Sequence, residues 1–341
     1  MAVESLAVLT PGNYPDDDPV AGLESTLQVF ELAERLGYRG AWVRQRHLEH
    51  GVSSAAVFLA AASQRTSRIE LGTAVIPIGY ETPFRLAEDL AMADALSDGR
   101  VQAGFSTGMP HSDLLGDVVY DGDWRSYDLG YGRVQRVVGH LSGEYLGGPD
   151  ALISSPGNLQ RPRLQPHRPG LRDRLWYGGT SVPSSRWSGG AGLHLLTGNI
   201  VSAAGFDAEL FSRSGFGGVQ RALIDVYRGA AENGGYPPRR VAVGRVVVPT
   251  DSADRATRAR YREYEAARHG RTLREHGDRR TIFAPDLVGP VADIAEQIAA
   301  DPAFEGVTEL RLELPYEFPL GDYEQVLTDA VGLPAALRAA A

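Results

Sequence analysis

Eight short, continuously apolar runs, each followed by a stretch with helical spacing, constrain this chain more than any other feature. The runs are SLAVLT (5–10), RGAWV (39–43), RIELGTAVIPI (68–78), RVQAGFST (100–107), RLWYG (174–178), LHLLTG (193–198), RVAVGRVVV (240–248) and TELRLEL (308–314). Between the first two, Leu23, Leu27, Phe30 and Ala33 recur at helical spacing over 22–36, and Gly37 is a natural stop. Segments 53–66 and 83–97 read as helices, the second opened by Pro83 at its first turn. Further helices are expected near 183–191, 217–233, 252–268, 288–300 and 321–330. Strands that are apolar throughout, rather than alternating, are buried on both faces and therefore parallel. Strand–helix alternation at this spacing predicts an α/β chain, a (β/α)8 barrel, with a doubly wound open sheet as the other arrangement. A length of 341 residues suits one barrel domain spanning 1–341. Two segments exceed the bare alternation and read as loop insertions at the barrel mouth. One is 108–172, with a helix at about 127–142; the other is the arginine-rich 269–287.

Composition removes several function classes. The formal net charge is −9, which gives no support for binding nucleic acid or an anionic membrane surface. No apolar run approaches the ~18 residues a membrane span needs. The N-terminus lacks a basic segment followed by a long apolar one, so the cytoplasm is the expected compartment. There is no cysteine, hence no thiolate catalysis, disulfide or thiolate metal site. There is also no lysine, which excludes a Schiff-base or P-loop lysine.

In a parallel barrel the active site lies at the C-terminal mouth, so residues just after each strand carry the search. The exit of the fifth run, YGGTSVPSS (177–185), crowds Gly179, Thr180, Ser181 and Ser184 ahead of a helix. Free backbone N–H groups, the positive end of a helix dipole and hydroxyls at one point bind phosphate without a basic side chain. The same pattern also makes an ordinary helix N-cap through Ser181 or Ser184. Other motifs fail. GGAGLH (189–194) precedes a strand instead of following one, and no Walker pattern or G-x-S-x-G elbow is present. His47 and His50 have no carboxylate–histidine partner at convincing spacing, so no metal is expected. Glu313 is one carboxylate at the mouth, but a glycoside hydrolase needs a second close by.

Several stretches together resemble the luciferase-like flavin-dependent monooxygenases. AERLGYRGAWVRQRH (33–47) is similar to the family's second strand and its acidic-His-His ending. SRIELGTAVIPIGYETPFRLAEDLAMADALSDGRVQAGFSTG (67–108) matches the third strand, third helix and the entry to the fourth strand. YGGTSVPSSRWSGGAGLHLL (177–196) is similar to the segment that holds the flavin phosphate. The resemblance implies a barrel enzyme that uses reduced FMN and O2, through a peroxyflavin, to oxidise a small organic substrate. Reduced FMN would come from a flavin reductase, and subunits would pair as a homodimer through helices beside the first strands. Gly179, Thr180, Ser181 and Ser184 would hold the phosphate. Ser106 and Thr107 would face the flavin, and Ala74–Val75 aligns with a link that is a non-proline cis peptide in some members. The sequence departs where Gln45-Arg46-His47 replaces acidic-His-His. His47 and Arg46 are then the candidate catalytic pair, Arg46 also suiting an anionic group. Tyr14, Tyr80, Trp124 and Tyr127 could wall the substrate space, or simply pack the 108–172 insertion onto the barrel. A deazaflavin (F420)-dependent hydride-transfer enzyme and a non-catalytic flavin-binding protein are the other readings.

Overall fold

A ladder of eight parallel strands returns to its starting strand. The computed structural model describes residues 3–237, 239–316 and 318–340. The strands are β1 (Ser5–Thr10), β2 (Gly40–Val43), β3 (Glu70–Thr73) and β4 (Val101–Ser106), then β5 (Leu175–Gly178), β6 (His194–Thr197), β7 (Val241–Arg245) and β8 (Glu309–Glu313). Each pairs in parallel with the next, from Val8↔Ala41 through Leu71↔Val101 to Val243↔Leu310. β8 then pairs with β1 from Ser5↔Glu309 to Leu9↔Glu313. The closed barrel, not the open sheet, is the architecture, and closure leaves no unpaired edge.

Eleven helices are described: α1 (Pro19–Arg35), α2 (Ala55–Ser63), α3 (Pro83–Leu96), α4 (Ser112–Tyr120), α5 (Tyr131–Leu141) and α6 (Val182–Gly190), then α7 (Leu210–Asn233), α8 (Arg255–His269), α9 (Val291–Ala300), α10 (Leu320–Ala330) and α11 (Leu333–Ala340). Helix starts follow local chemistry. Asp18 accepts from the Ala21 N–H at the start of α1, and Asp254 from the Thr257 N–H at the start of α8. The largest apolar cluster fills the layer between barrel and helices, with Phe30, Leu59, Leu90 and Tyr227 fully buried in it. A smaller cluster of Ala7, Leu9, Trp42, Trp176, Leu196 and Ala242 fills the barrel interior.

Several boundaries differ from the sequence reading, each for a local reason. The apolar run 68–78 breaks after Thr73 at the cis Ala74–Val75 peptide, and Ile76–Pro77 then pairs separately with β4. The run 240–248 likewise divides, since Val247–Pro249 leaves the barrel to pair with Leu287–Gly289. α7 begins seven residues before 217, but Gly215, at φ +63°, interrupts its helical backbone. In the 108–172 insertion, α4 was not foreseen, α5 starts at Tyr131 rather than 127, and Ile153–Ser155 and Asn158–Gln160 form a hairpin. Within 269–287, Thr281–Phe283 pairs antiparallel with Ile200–Ser202, a strand just beyond β6.

One carboxylate ties α1 to the loop entering β3. Glu34 accepts from the backbone N–H groups of Ser67, Arg68 and Ile69. Burial opposes its ionisation, but these N–H groups hold its pKa at about 2, against an ordinary 4.5. A depressed folded-state pKa contributes stability that is complete above pH 4.5 and lost as pH falls through about 2. Glu34→Gln should therefore destabilise the protein by about 1–2 kcal/mol near neutrality, with the gap to wild type closing on acidification. Denaturant melts at pH 7 and pH 3 check this; a gap that stays constant with pH would reject the assignment.

Candidate active site

The strand ends of the barrel converge on a cleft made of two joined cavities. The outer one, about 240 Å³, is lined by Arg44, Gln45, Arg46, His47, Tyr80 and Pro110, among others. The inner one, also about 240 Å³, lies over Leu9, Leu196, Ala242, Gly244 and Arg311 and reaches Gly178, Thr180 and Asn199. Arg44, Ala74, Val75 and Ser106 line both, so the two adjoin. Taken together they have the size of a site for a small organic molecule or cofactor.

The inner floor is apolar except for β8. Inward residues alternate along that strand, placing Glu309, Arg311 and Glu313 in successive layers. Arg311 is 2% exposed and its guanidinium sits 3.4 Å from the Trp42 ring centroid and 4.7 Å from that of Trp176. Its Nε donates to Glu309 at 2.9 Å, and Glu309 also pairs with Arg240, which Glu70 holds at 2.8 Å. The Nη1 of Arg311 has no hydrogen-bond partner among the described residues. Glu313, one layer up, bonds Arg44 Nη2 at 2.5 Å and accepts from the Asn199 N–H at 3.2 Å. A Cβ on Gly244 would stand 2.3 Å from Glu313 Oε1, so glycine keeps this corner open.

The outer rim is charged and balanced. Tyr316 O–H receives Arg44 Nη1 at 2.9 Å and Arg46 Nη2 at 2.8 Å. Arg46 also meets Glu49 at 3.4 Å, and His111 meets the same carboxylate at 3.2 Å. His47 lies beside Gln45 and the Tyr80 ring, whose centroid is 5.0 Å away. Burial lowers the His47 pKa below its ordinary value, against the opposing pull of Glu81. Neutral His47 is the form present at pH 7.

At the β5 exit the serines close on each other. Ser184 Oγ accepts from the Thr180 and Ser181 N–H groups at 3.1 and 3.0 Å and lies 2.8 Å from Ser181 Oγ. This is a capping box at the start of α6, so the N-cap reading of the motif is realised there. Thr180 lines the inner cavity, while Ser181 and Ser184 stand one layer behind it. Gly179 packs against Leu195, where a Cβ would come within 2.3 Å. Of the other flavin-side candidates, Ala74, Val75 and Ser106 line the cleft, whereas Thr107 is engaged by the Tyr177 hydroxyl at 3.1 Å.

The four aromatics do not gather in one wall. Tyr80 lines the cleft and donates to the Pro110 carbonyl. Trp124 packs on Gly116 and under Arg125, Tyr127 on Tyr120, and Tyr14 on His50. Among the described residues no group of three or more His, Asp or Glu side chains could hold a metal ion. His50 instead meets Asp16 at 3.2 Å. Strand-exit position marks Arg44, Asn199 and Tyr316 for the search but gives them no role, and of the mouth carboxylates only Glu313 was weighed. Arg311 was passed over, although the inward alternation of ELRLE could have found it.

A family model described as luciferase-like monooxygenase matches residues 4–306. The chain belongs to the luciferase-like monooxygenase family. Limonene 1,2-monooxygenase of Rhodococcus erythropolis is 36% identical over 104 residues, 30% of this chain and 27% of that relative. The chain thus aligns with about a quarter of the length of that curated relative. Two solved structures share the whole luciferase-like fold. The oxygenating constituent of 3,6-diketocamphane monooxygenase from Pseudomonas putida, in complex with FMN, superposes with a TM-score of 0.67 at 15% identity, covering 99% of each chain. The F420-dependent tetrahydromethanopterin reductase of Methanopyrus kandleri superposes at 0.61 with 14% identity, covering 97% of this chain and 99% of that one. Among the described residues of this luciferase-like chain, no helix is long and apolar enough to cross a membrane.

Proposed function

We propose that this chain is an oxygenase that binds reduced FMN in the mouth of the barrel and oxidises a small organic substrate with O2. The observation that carries the reading is an apolar-floored cavity that reaches Thr180 at the entry to α6, with Ser181 and Ser184 directly behind it. A flat ring system suits the floor of Leu9, Leu196 and Ala242, and the buried Nη1 of Arg311 suits a polar acceptor on it. Ala74, Val75 and Ser106 would border the ring. The helix end would take the phosphate, the Ser181 and Ser184 hydroxyls turning towards it from the bond they make to each other. Reduced flavin, once bound, supplies the electrons and the site of reaction with O2.

The chain's own residues position and dry that chemistry. Tyr80, His47 and Arg46 border the outer cavity, which is the space left for substrate. The 108–172 insertion covers the same side, with Tyr120 tied to the Gly79 carbonyl. Water exclusion there protects reactive flavin from discharge. A separate flavin reductase would supply the reduced cofactor, as befits a chain similar to an oxygenating constituent.

Flavin titration by fluorescence, anaerobic for the reduced form, tests the reading. Wild type should bind reduced FMN more tightly than oxidised FMN. Ser181→Ala and Ser184→Ala should each weaken both by about tenfold, equal to about 1.4 kcal/mol. Binding of deazaflavin but not FMN would favour the hydride-transfer reading. Tight FMN binding without turnover in the presence of a reductase would favour a non-catalytic flavoprotein.

A further inference from the structure

The exit of β2 holds a side-chain amide whose orientation is dictated by its neighbours. Gln45 is 5% exposed. Its Oε1 accepts from the Ala55 N–H, at the first residue of α2, at 3.0 Å. A backbone N–H only donates, so the amide oxygen must lie there and the amide nitrogen on the other side. That Nε2 donates to Glu81 Oε1 at 2.6 Å and lies 3.2 Å from His47 Nε2. The reverse orientation would set two donors face to face at Ala55 and two acceptors face to face at Glu81.

We infer that Gln45 is a positioning residue that fixes His47 as the neutral tautomer with its proton on Nδ1. An amide nitrogen carrying two hydrogens has no lone pair to offer, so His47 Nε2 must accept. Protonating Nε2 would turn it into a second donor against Gln45. Of the charged neighbours Glu81 favours the cation, while Arg44, Arg46 and Glu49 line the same outer cavity. The Tyr80 ring meets the imidazole edge to face and carries no charge. Burial opposes the cation. His47 therefore meets a bound molecule as a hydrogen-bond donor through Nδ1, not as a base through Nε2. The tautomer assignment stands without any cofactor, while its consequence for turnover rests on the proposed function.

Long-range ¹H–¹⁵N NMR of protein labelled in its eight histidines tests this, with His47 assigned from the signals lost in His47→Gln. In wild type His47 should show a protonated Nδ1 and a bare Nε2 at pH 7, titrating below the ordinary value of about 6.5. Gln45→Leu, which removes the amide donor, should yield a mixture of tautomers. A bare Nδ1 in wild type, or an unmixed tautomer in Gln45→Leu, overturns the inference. If the variants do not fold, the wild-type spectrum alone decides. A correct tautomer in a protein that binds no flavin would sink the proposed function and leave this inference intact.

Discussion

Asp94→Ala is expected to cost about 3–5 kcal/mol and to lower the melting temperature by roughly 6–10 °C. The Asp94 side chain is fully buried on α3 and gathers partners from the C-terminal end of the insertion and from β4. Its oxygens receive Arg174 Nη1 at 2.6 Å, Arg174 Nη2 at 3.0 Å, Arg168 Nε at 3.2 Å and the Val101 N–H at 3.2 Å. Arg168 and Arg174 bracket the return of the 108–172 insertion to β5, so this carboxylate fastens the insertion to the barrel. Removing it strands two guanidinium groups beside a cavity and leaves a strand N–H unpaired, which is the costly way to break a buried pair. Arg174 also donates to the Gly99 and Val101 carbonyls, and that places the loss towards the lower end. Asp94→Asn keeps an acceptor for Val101 and should lose less. Thermal melts followed by circular dichroism measure both, and an alanine variant within about 1 kcal/mol of wild type would refute the fastening role.

If the chain binds FMN as proposed, Gly244→Val should weaken that binding by roughly thirtyfold, about 2 kcal/mol, while the barrel still folds. Its new Cβ would fall 2.3 Å from Glu313 Oε1 and 3.2 Å from the Gly198 Cα, inside the inner cavity. Glu313 must then swing, loosening its bonds to Arg44 and to the Asn199 N–H. The substitution therefore both fills the floor and disturbs the rim. The readout is flavin titration, with the circular dichroism spectrum as the control for folding. Undiminished affinity in a folded Gly244→Val protein would place the flavin elsewhere.

Much of the fold was legible because strands buried on both faces leave unbroken apolar runs. Closure followed from counting eight such strands, and the pairing that decides it against the open sheet joins β8 to β1, some 300 residues apart. α4 was missed because SDLLGDVVY leaves Leu114 and Val118 exposed, so its apolar spacing does not point into a core. The site was legible only where one segment carries it. The serines after β5 and the Gln45-Arg46-His47 run are contiguous and stood out as candidates. Glu313 with Arg44, and Arg311 with its two indoles, are assembled from strands distant in sequence. The two readings of the aromatics stayed open because ring content in 108–172 does not say which way each ring turns. Trp124 and Tyr127 found partners inside the insertion itself.

The cation held between Trp42 and Trp176 gives the molecule a built-in lamp. These two of the chain's four tryptophans meet edge to face at 5.4 Å directly beneath the inner cavity. Any chromophore that settles on that floor and absorbs in the near ultraviolet will drain their emission, whichever ring it carries. Arrival and departure can thus be watched in unlabelled protein, in real time, without waiting for a product to form.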